Sequence, residues 1–116
     1  MKITKIVSKE IAILELKGNF LCEPDKMKLR KKLYGLMNDK IKNVVVDLGN
    51  VECMNSEGLG TLVMALTSLR KAGGDLRLAR VTPMVQETLA ITQLSNVFAT
   101  YETAAEAIAS FKTRKK

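Results

Sequence analysis

A chain of 116 residues can bury one hydrophobic core, and 47% hydrophobic with 27% charged residues is ordinary for a globular domain. No apolar run approaches the roughly 18–20 residues that span a bilayer, and the first residues lack a signal-peptide pattern, so we expect a cytoplasmic protein without direct membrane insertion. The absence of histidine excludes a Ser-His-Asp triad, and a net charge of +7 with aromatic residues outside the basic runs favours an acidic protein partner over nucleic acid.

The first half of the chain predicts a hairpin, a helix and a buried strand. Residues 3–7 and 10–16 alternate apolar and polar side chains, and Gly18-Asn19 is expected to end the second strand. A helix is then predicted from Pro24 and Asp25 to Asn38-Asp39. Its apolar face comprises Leu29, Leu33, Leu36 and Met37. Residues 41–48 predict the most buried strand, which Asp47 and Gly49 are expected to end.

The second half predicts alternating helices and strands. Residues 56–71 form an amphipathic helix that stops at Gly73-Gly74, and 75–80 form a strand. A helix over 82–92, a strand over 96–101 and a helix over 104–111 follow. This order predicts an α/β fold in which one mixed, mostly parallel sheet is covered by about four helices.

The chemistry-bearing segment is the polar stretch 55–58, which enters the helix that follows the buried strand. The first turn of a helix presents unpaired backbone N–H groups and positive potential, so this segment is accessible to a partner or an anion. A dinucleotide site is not expected, because Gly58-Leu59-Gly60 lacks the third glycine and the predicted loop is too long. Cys22 and Cys53 are interpreted as reduced thiols, and no metal or cofactor is expected.

Four motifs in order resemble the STAS family, whose type members are bacterial anti-sigma factor antagonists. They are VVVDL at 44–48, NSEGLG at 55–60, AGGDLRL at 72–78 and LAITQLSNVF at 89–98. The resemblance implies one STAS domain over 1–116, with a core of about 2–112 and a basic tail at 112–116. It also implies a non-enzymatic protein that works by partner switching with a serine-kinase anti-sigma factor, which phosphorylates the antagonist at the start of the helix.

The chain departs from the family at the residues that carry the switch. The family's accepting serine lies directly before the first glycine of this motif, and that position is Glu57. The preceding aspartate is replaced by Asn55, and the aspartate of the early loop is missing from Gly18-Asn19-Phe20-Leu21. We therefore expect phosphorylation control to be altered or lost.

Glu57 and Ser56 each have a structural and a functional interpretation. Glu57 either stabilises the helix through its dipole or imitates phosphoserine. The imitation is in location and not in magnitude, because Asn55 and Glu57 together carry one negative charge, as the unmodified family site does. Ser56 either caps the helix or remains as a phosphoacceptor.

The resemblance predicts a contact surface around the helix start and the early loop. Its predicted residues are Asn19, Phe20, Asn55, Ser56, Glu57, Gly58, Leu59 and Thr61. The expected partner is a kinase-type anti-sigma factor or a related regulator, and the expected state is a monomer or weak dimer. The alternative function is an accessory subunit of a membrane transporter.

Overall fold

The computed structural model describes residues 2–8, 11–20, 25–54 and 56–112, with side chains at all of them except Lys2, Ser8, Asn19, Phe20, Asp25, Lys26, Cys53, Ser56, Glu57 and Lys112. Over these residues the chain forms a five-stranded mixed sheet and four helices, which confirms the predicted fold class. The elements in chain order are β1 (Lys2–Ser8), β2 (Ile11–Phe20), α1 (Asp25–Asn38), β3 (Asn43–Met54), α2 (Ser56–Lys71), β4 (Asp75–Ala79), α3 (Pro83–Ile91), β5 (Thr100–Tyr101) and α4 (Ala104–Lys112).

The sheet follows chain order, β1-β2-β3-β4-β5. The predicted hairpin is confirmed, because β1 and β2 pair antiparallel with Ile6 opposite Ile13, while the remaining neighbours are parallel. Val44, Val45 and Val46 are completely buried. Successive strand side chains point to opposite faces, so three buried valines in a row require helices on both faces of the sheet.

The larger layer of the core lies between the sheet and α1, α2 and α3. The predicted leucines of all three helices are buried there, including Leu29, Leu62 and Leu89. Helix α4 covers the other face through Ala107, which packs with Ile11, Val45 and Ala79. Arg77 adds to this packing. The central carbon of its guanidinium lies 4.2 Å from the centre of the ring of Phe111, one of the partly buried apolar residues of α4.

Two strands run further than the sequence predicted, and the predicted ends at Gly18-Asn19 and at Asp47–Gly49 are wrong. Strand β2 continues to Phe20 because Gly18 adopts a positive φ of 103° at a register shift, which glycine tolerates. Strand β3 continues to Met54 beside it, so the long polar loop predicted after Leu48 is mostly strand.

Strand β5 is shorter than predicted, with Thr100 and Tyr101 in place of 96–101. Turns occupy the preceding residues, and Phe98 packs into the core from one of them at 5% exposure. Pro24 and residues 113–116 of the basic tail lie outside the described residues. Within the described segments, no helix combines the length and the apolarity needed to cross a membrane.

Candidate functional site

The two segments singled out from the sequence meet at the carboxyl end of the sheet. The parallel register places Asn19 opposite Cys53 and Phe20 opposite Met54. Helix α2 begins at Ser56, two residues after Met54. Asn55 lies outside the described residues. The extension of β2 and β3 beyond their predicted ends therefore brings the early loop's first residues and the helix start into one region.

Ser56 and Glu57 are the first two residues of α2, as the sequence predicted. The backbone N–H groups of a first helical turn have no acceptor within the helix, and they carry roughly half a positive charge together. A carboxylate at this position stabilises the helix by about 0.3–1 kcal/mol. The same location suits a phosphate, which has more acceptor oxygens and more charge.

Three predicted contact residues do not lie on the described surface. Leu59 is completely buried in the core, Thr61 is 6% exposed, and Gly58 is also buried. Their burial anchors the first turns of α2 against the sheet, because Leu59 packs among the other core leucines. We therefore assign these residues to positioning the helix start, and the prediction of direct contact remains for Asn19, Phe20, Asn55, Ser56 and Glu57.

Helix α3 borders this region, which the sequence reasoning did not anticipate. The hydroxyl of Thr88 lies 3.5 Å from the carbonyl oxygen of Met54 and donates to the carbonyl of Met84 at 3.1 Å. Met84 and Ile91 flank Thr88 at helical spacings and are 49% and 74% exposed. The sequence signal for this surface is the pair Met84 and Ile91, two apolar residues seven positions apart that do not belong to the buried stripe of Val85 and Leu89.

An ion pair stiffens the strand that leads to the site. The guanidinium Nε of Arg80 lies 2.9 and 3.2 Å from the two carboxylate oxygens of Asp47, which also accepts from the backbone N–H of Gly49 at 2.9 Å. A side chain at position 49 would collide with this guanidinium, since an added Cβ lies 2.4 Å from its Cζ. Asp47 thus has one partner within β3, the N–H of Gly49, and one outside it, the guanidinium of Arg80. These two partners explain how a buried carboxylate is accommodated in the strand.

Arg80→Ala is expected to lower the free energy of unfolding by about 1–3 kcal/mol, because the Asp47 side chain is only 5% exposed and loses its countercharge. The control is Arg70→Ala, which removes the ion pair with Asp75 from an arginine that is 56% exposed and should cost less than about 1 kcal/mol. Urea unfolding followed by circular dichroism measures both variants. Equal losses would contradict the special role given to the Asp47 pair.

The chemistry of the site is that of a binding surface. Among the described residues, no three His, Cys, Asp or Glu side chains cluster at metal-binding distance. Exposed apolar side chains such as Met84 and Ile91, next to the start of a helix, are typical of a surface that contacts another protein.

Comparison with known proteins supports the same interpretation. The model of the STAS domain family matches residues 2–107. BtrV of Bordetella bronchiseptica, a candidate anti-sigma factor antagonist, is 32% identical over 72 residues. That match spans 62% of this chain and 62% of BtrV.

Solved structures reproduce the fold at lower identity. TM1081 of Thermotoga maritima, also a candidate antagonist, superposes with a TM-score of 0.86 at 22% identity, covering 95% of this chain and 94% of that one. The antagonist SpoIIAA in its unphosphorylated form superposes with a TM-score of 0.84 at 17% identity, and the match covers 99% of this chain and 100% of SpoIIAA. The murine anion transporter Slc26a9 superposes with a TM-score of 0.74 at 12% identity, and the match covers 90% of this chain and 18% of the transporter.

Proposed function

This chain belongs to the STAS domain family, and from that membership we propose that it is an antagonist-like binding module whose partner is a kinase-type anti-sigma factor. The observation that carries the proposal is the parallel pairing of Phe20 with Met54 directly before the start of α2. This pairing joins the two segments that the family resemblance assigns to partner contact. STAS antagonists are generally binding modules rather than enzymes, which agrees with the chemistry of the site.

The proposed contact surface has a centre of three polar residues and one aromatic residue, and an apolar border. Asn19, Phe20, Ser56 and Glu57 form the centre, at the ends of β2 and β3 and the start of α2. Met84 and Ile91 form the border on α3. A few desolvated side chains supply most of the binding energy in protein interfaces, and methionine is enriched there, so we expect the apolar border on α3 to contribute.

Glu57 is proposed to replace phosphorylation control with a fixed charge. A phosphoserine carries about −1.5 to −2 charge at neutral pH, whereas a glutamate carries one negative charge. SpoIIAA has been solved in a phosphorylated form as well, so phosphorylation occurs in this fold. A permanent single charge at the acceptor position gives the partner one constant surface to recognise, in place of two alternating ones.

The proposal is tested by titrating this protein with the kinase-type anti-sigma factors of its source organism in a calorimeter. Ile91→Asp is expected to weaken binding at least about tenfold, because a carboxylate then lies on the apolar border. The control is Val7→Asp, which places the same charge on a 44% exposed side chain at the opposite end of the sheet. No binding by any of these kinases, or equal losses in both variants, would contradict the proposal.

A second candidate function is that of a regulatory subunit in a membrane transporter complex. The superposition on 18% of the length of murine Slc26a9 favours it, since the same fold there forms a part of a transporter. Affinity purification with the tagged protein discriminates the two: a transporter subunit at stoichiometric yield supports this candidate, and an anti-sigma factor supports the first.

A further inference from the structure

A shallow groove runs between α1 and α2, apart from the proposed contact surface. Its α1 wall comprises Arg30, Leu33, Tyr34 and Met37, and its α2 wall comprises Thr61, Met64, Ala65 and Ser68. Both walls have the spacing i, i+3, i+4, i+7, so each presents one continuous face over two helical turns. Since each helix connects neighbouring parallel strands, the two walls run in the same direction for about 10 Å.

The groove leaves large apolar side chains in solvent. Tyr34 is 53% exposed and Met64 is 58% exposed, one on each wall. Met27 lies two turns before Tyr34 on the same stripe of α1 and is 44% exposed. Clusters of exposed Met and Tyr side chains are typical of protein-docking surfaces, because these side chains adapt to a partner and bury a large area.

The charge of the two helices is mainly positive. Helices α1 and α2 contain seven basic residues and two acidic ones, and the acidic residues, Asp25 and Glu57, lie at the helix starts rather than in the groove walls. Arg30 lines the groove itself, and Lys31 is exposed beside it. A partner segment that carries negative charge is complementary to this basic face.

We propose that this groove docks an acidic amphipathic helix of a partner protein. A helix fits because its i, i+3, i+4, i+7 side chains match the length and spacing of the walls, and its carboxylates meet Arg30 and Lys31. Nucleic acid is disfavoured because Tyr34 is the only aromatic residue in the two walls. A membrane surface is disfavoured because the apolar lining lies in a concave groove, whereas a helix that binds a membrane buries a protruding apolar face among the lipid headgroups.

The probe is a synthetic helical peptide of about 15 residues, with leucines at i, i+3, i+4 and i+7 and with Glu and Ala elsewhere. It is titrated into the full-length, isotope-labelled protein, and backbone amide shifts are recorded by NMR. Shift changes are expected over 27–37 and 61–68. A matched peptide with Lys in place of Glu is expected to bind at least about tenfold more weakly.

Charge-reversal variants localise the effect. Arg30→Glu is expected to weaken the acidic peptide at least about tenfold, whereas Lys32→Glu makes the same charge change on an exposed residue outside the groove lining and should weaken it less than about threefold. Met64→Ala, which keeps every charge, should also weaken binding.

Four results would overturn the proposal: no shifts in the groove, equal effects of Arg30→Glu and Lys32→Glu, no effect of Met64→Ala, or tighter binding of duplex DNA or anionic vesicles at the same amides. None of these involves Glu57 or an anti-sigma factor. The groove and the proposed function can therefore fail independently.

Discussion

Replacing Glu57 by serine is expected to create a phosphoacceptor. The Glu57→Ser protein, incubated with ATP and its kinase-type anti-sigma factor, should take up one phosphate on residue 57, while the wild-type protein takes up none over 55–61. The reason is positional, because residue 57 directly precedes Gly58 and lies in the first turn of α2, where backbone N–H groups favour a phosphate. Intact-mass and peptide mass spectrometry measure the change.

Two further variants separate the acceptor from its neighbour. Glu57→Ala removes the carboxylate without adding a hydroxyl and should remain unmodified. Ser56→Ala combined with Glu57→Ser should still be phosphorylated. Stoichiometric phosphate on Ser56 of the wild-type protein would show that switching survives in this chain, and an unmodified Glu57→Ser protein would show that the acceptor position is assigned wrongly.

The phosphorylated Glu57→Ser protein also tests whether a carboxylate and a phosphate are equivalent here. Phosphorylation places about −1.5 to −2 charge and three acceptor oxygens where the wild-type protein has a single carboxylate charge. The kinase is therefore expected to hold the wild-type and phosphorylated proteins with clearly different affinities. Equal affinities would mean that Glu57 imitates phosphoserine in magnitude as well as in location.

Gly74→Ala is expected to destabilise the protein by about 3 kcal/mol, the upper end of the typical cost of overpacking. A Cβ added at this position would lie 2.0 Å from the carbonyl oxygen and 2.5 Å from the carbonyl carbon of Lys42. These are backbone atoms, and the same carbonyl accepts from the N–H of Asp75 at 3.1 Å where β4 begins beside β3. The collision can be relieved only by moving the strand apart from the preceding turn.

Gly35→Ala is the matched control for this prediction. Nothing lies within 4 Å of a Cβ added at Gly35, which is exposed within α1. Alanine is favoured over glycine in a helix by about 0.8–1 kcal/mol, so this variant should be slightly more stable than the wild type. Chemical unfolding of both proteins measures the difference. A Gly74→Ala protein as stable as Gly35→Ala would contradict the close approach at Lys42.

The helices were largely predictable from the sequence, whereas the ends of the strands were not. The start of α2 at Ser56 and its end at Lys71 follow from leucine spacing and from Gly73-Gly74, which are local signals. The end of β3 depends instead on whether β2 accompanies it, which is decided by a register shift and a positive φ at Gly18. Pairing between distant segments leaves little trace in either segment alone.

The candidate site shows the same division. The position of Glu57 in the first turn of α2 was predictable, because it depends on a local motif. The border on α3 was not, since it requires Thr88 to lie beside the carbonyl of Met54, 34 positions earlier. The sequence also did not reveal that Leu59 and Thr61 are too buried for direct contact. A family resemblance shows which residues correspond to a contact surface, but it gives no information about their exposure.

The most direct test of the proposed contact surface is an NMR map of the labelled protein bound to its kinase-type anti-sigma factor. The largest amide shift changes are expected at residues 18–20, at 54–60 and at 84–91, which converge at the carboxyl end of the sheet. Changes concentrated on β1 or on α4, with these three segments unaffected, would contradict the account.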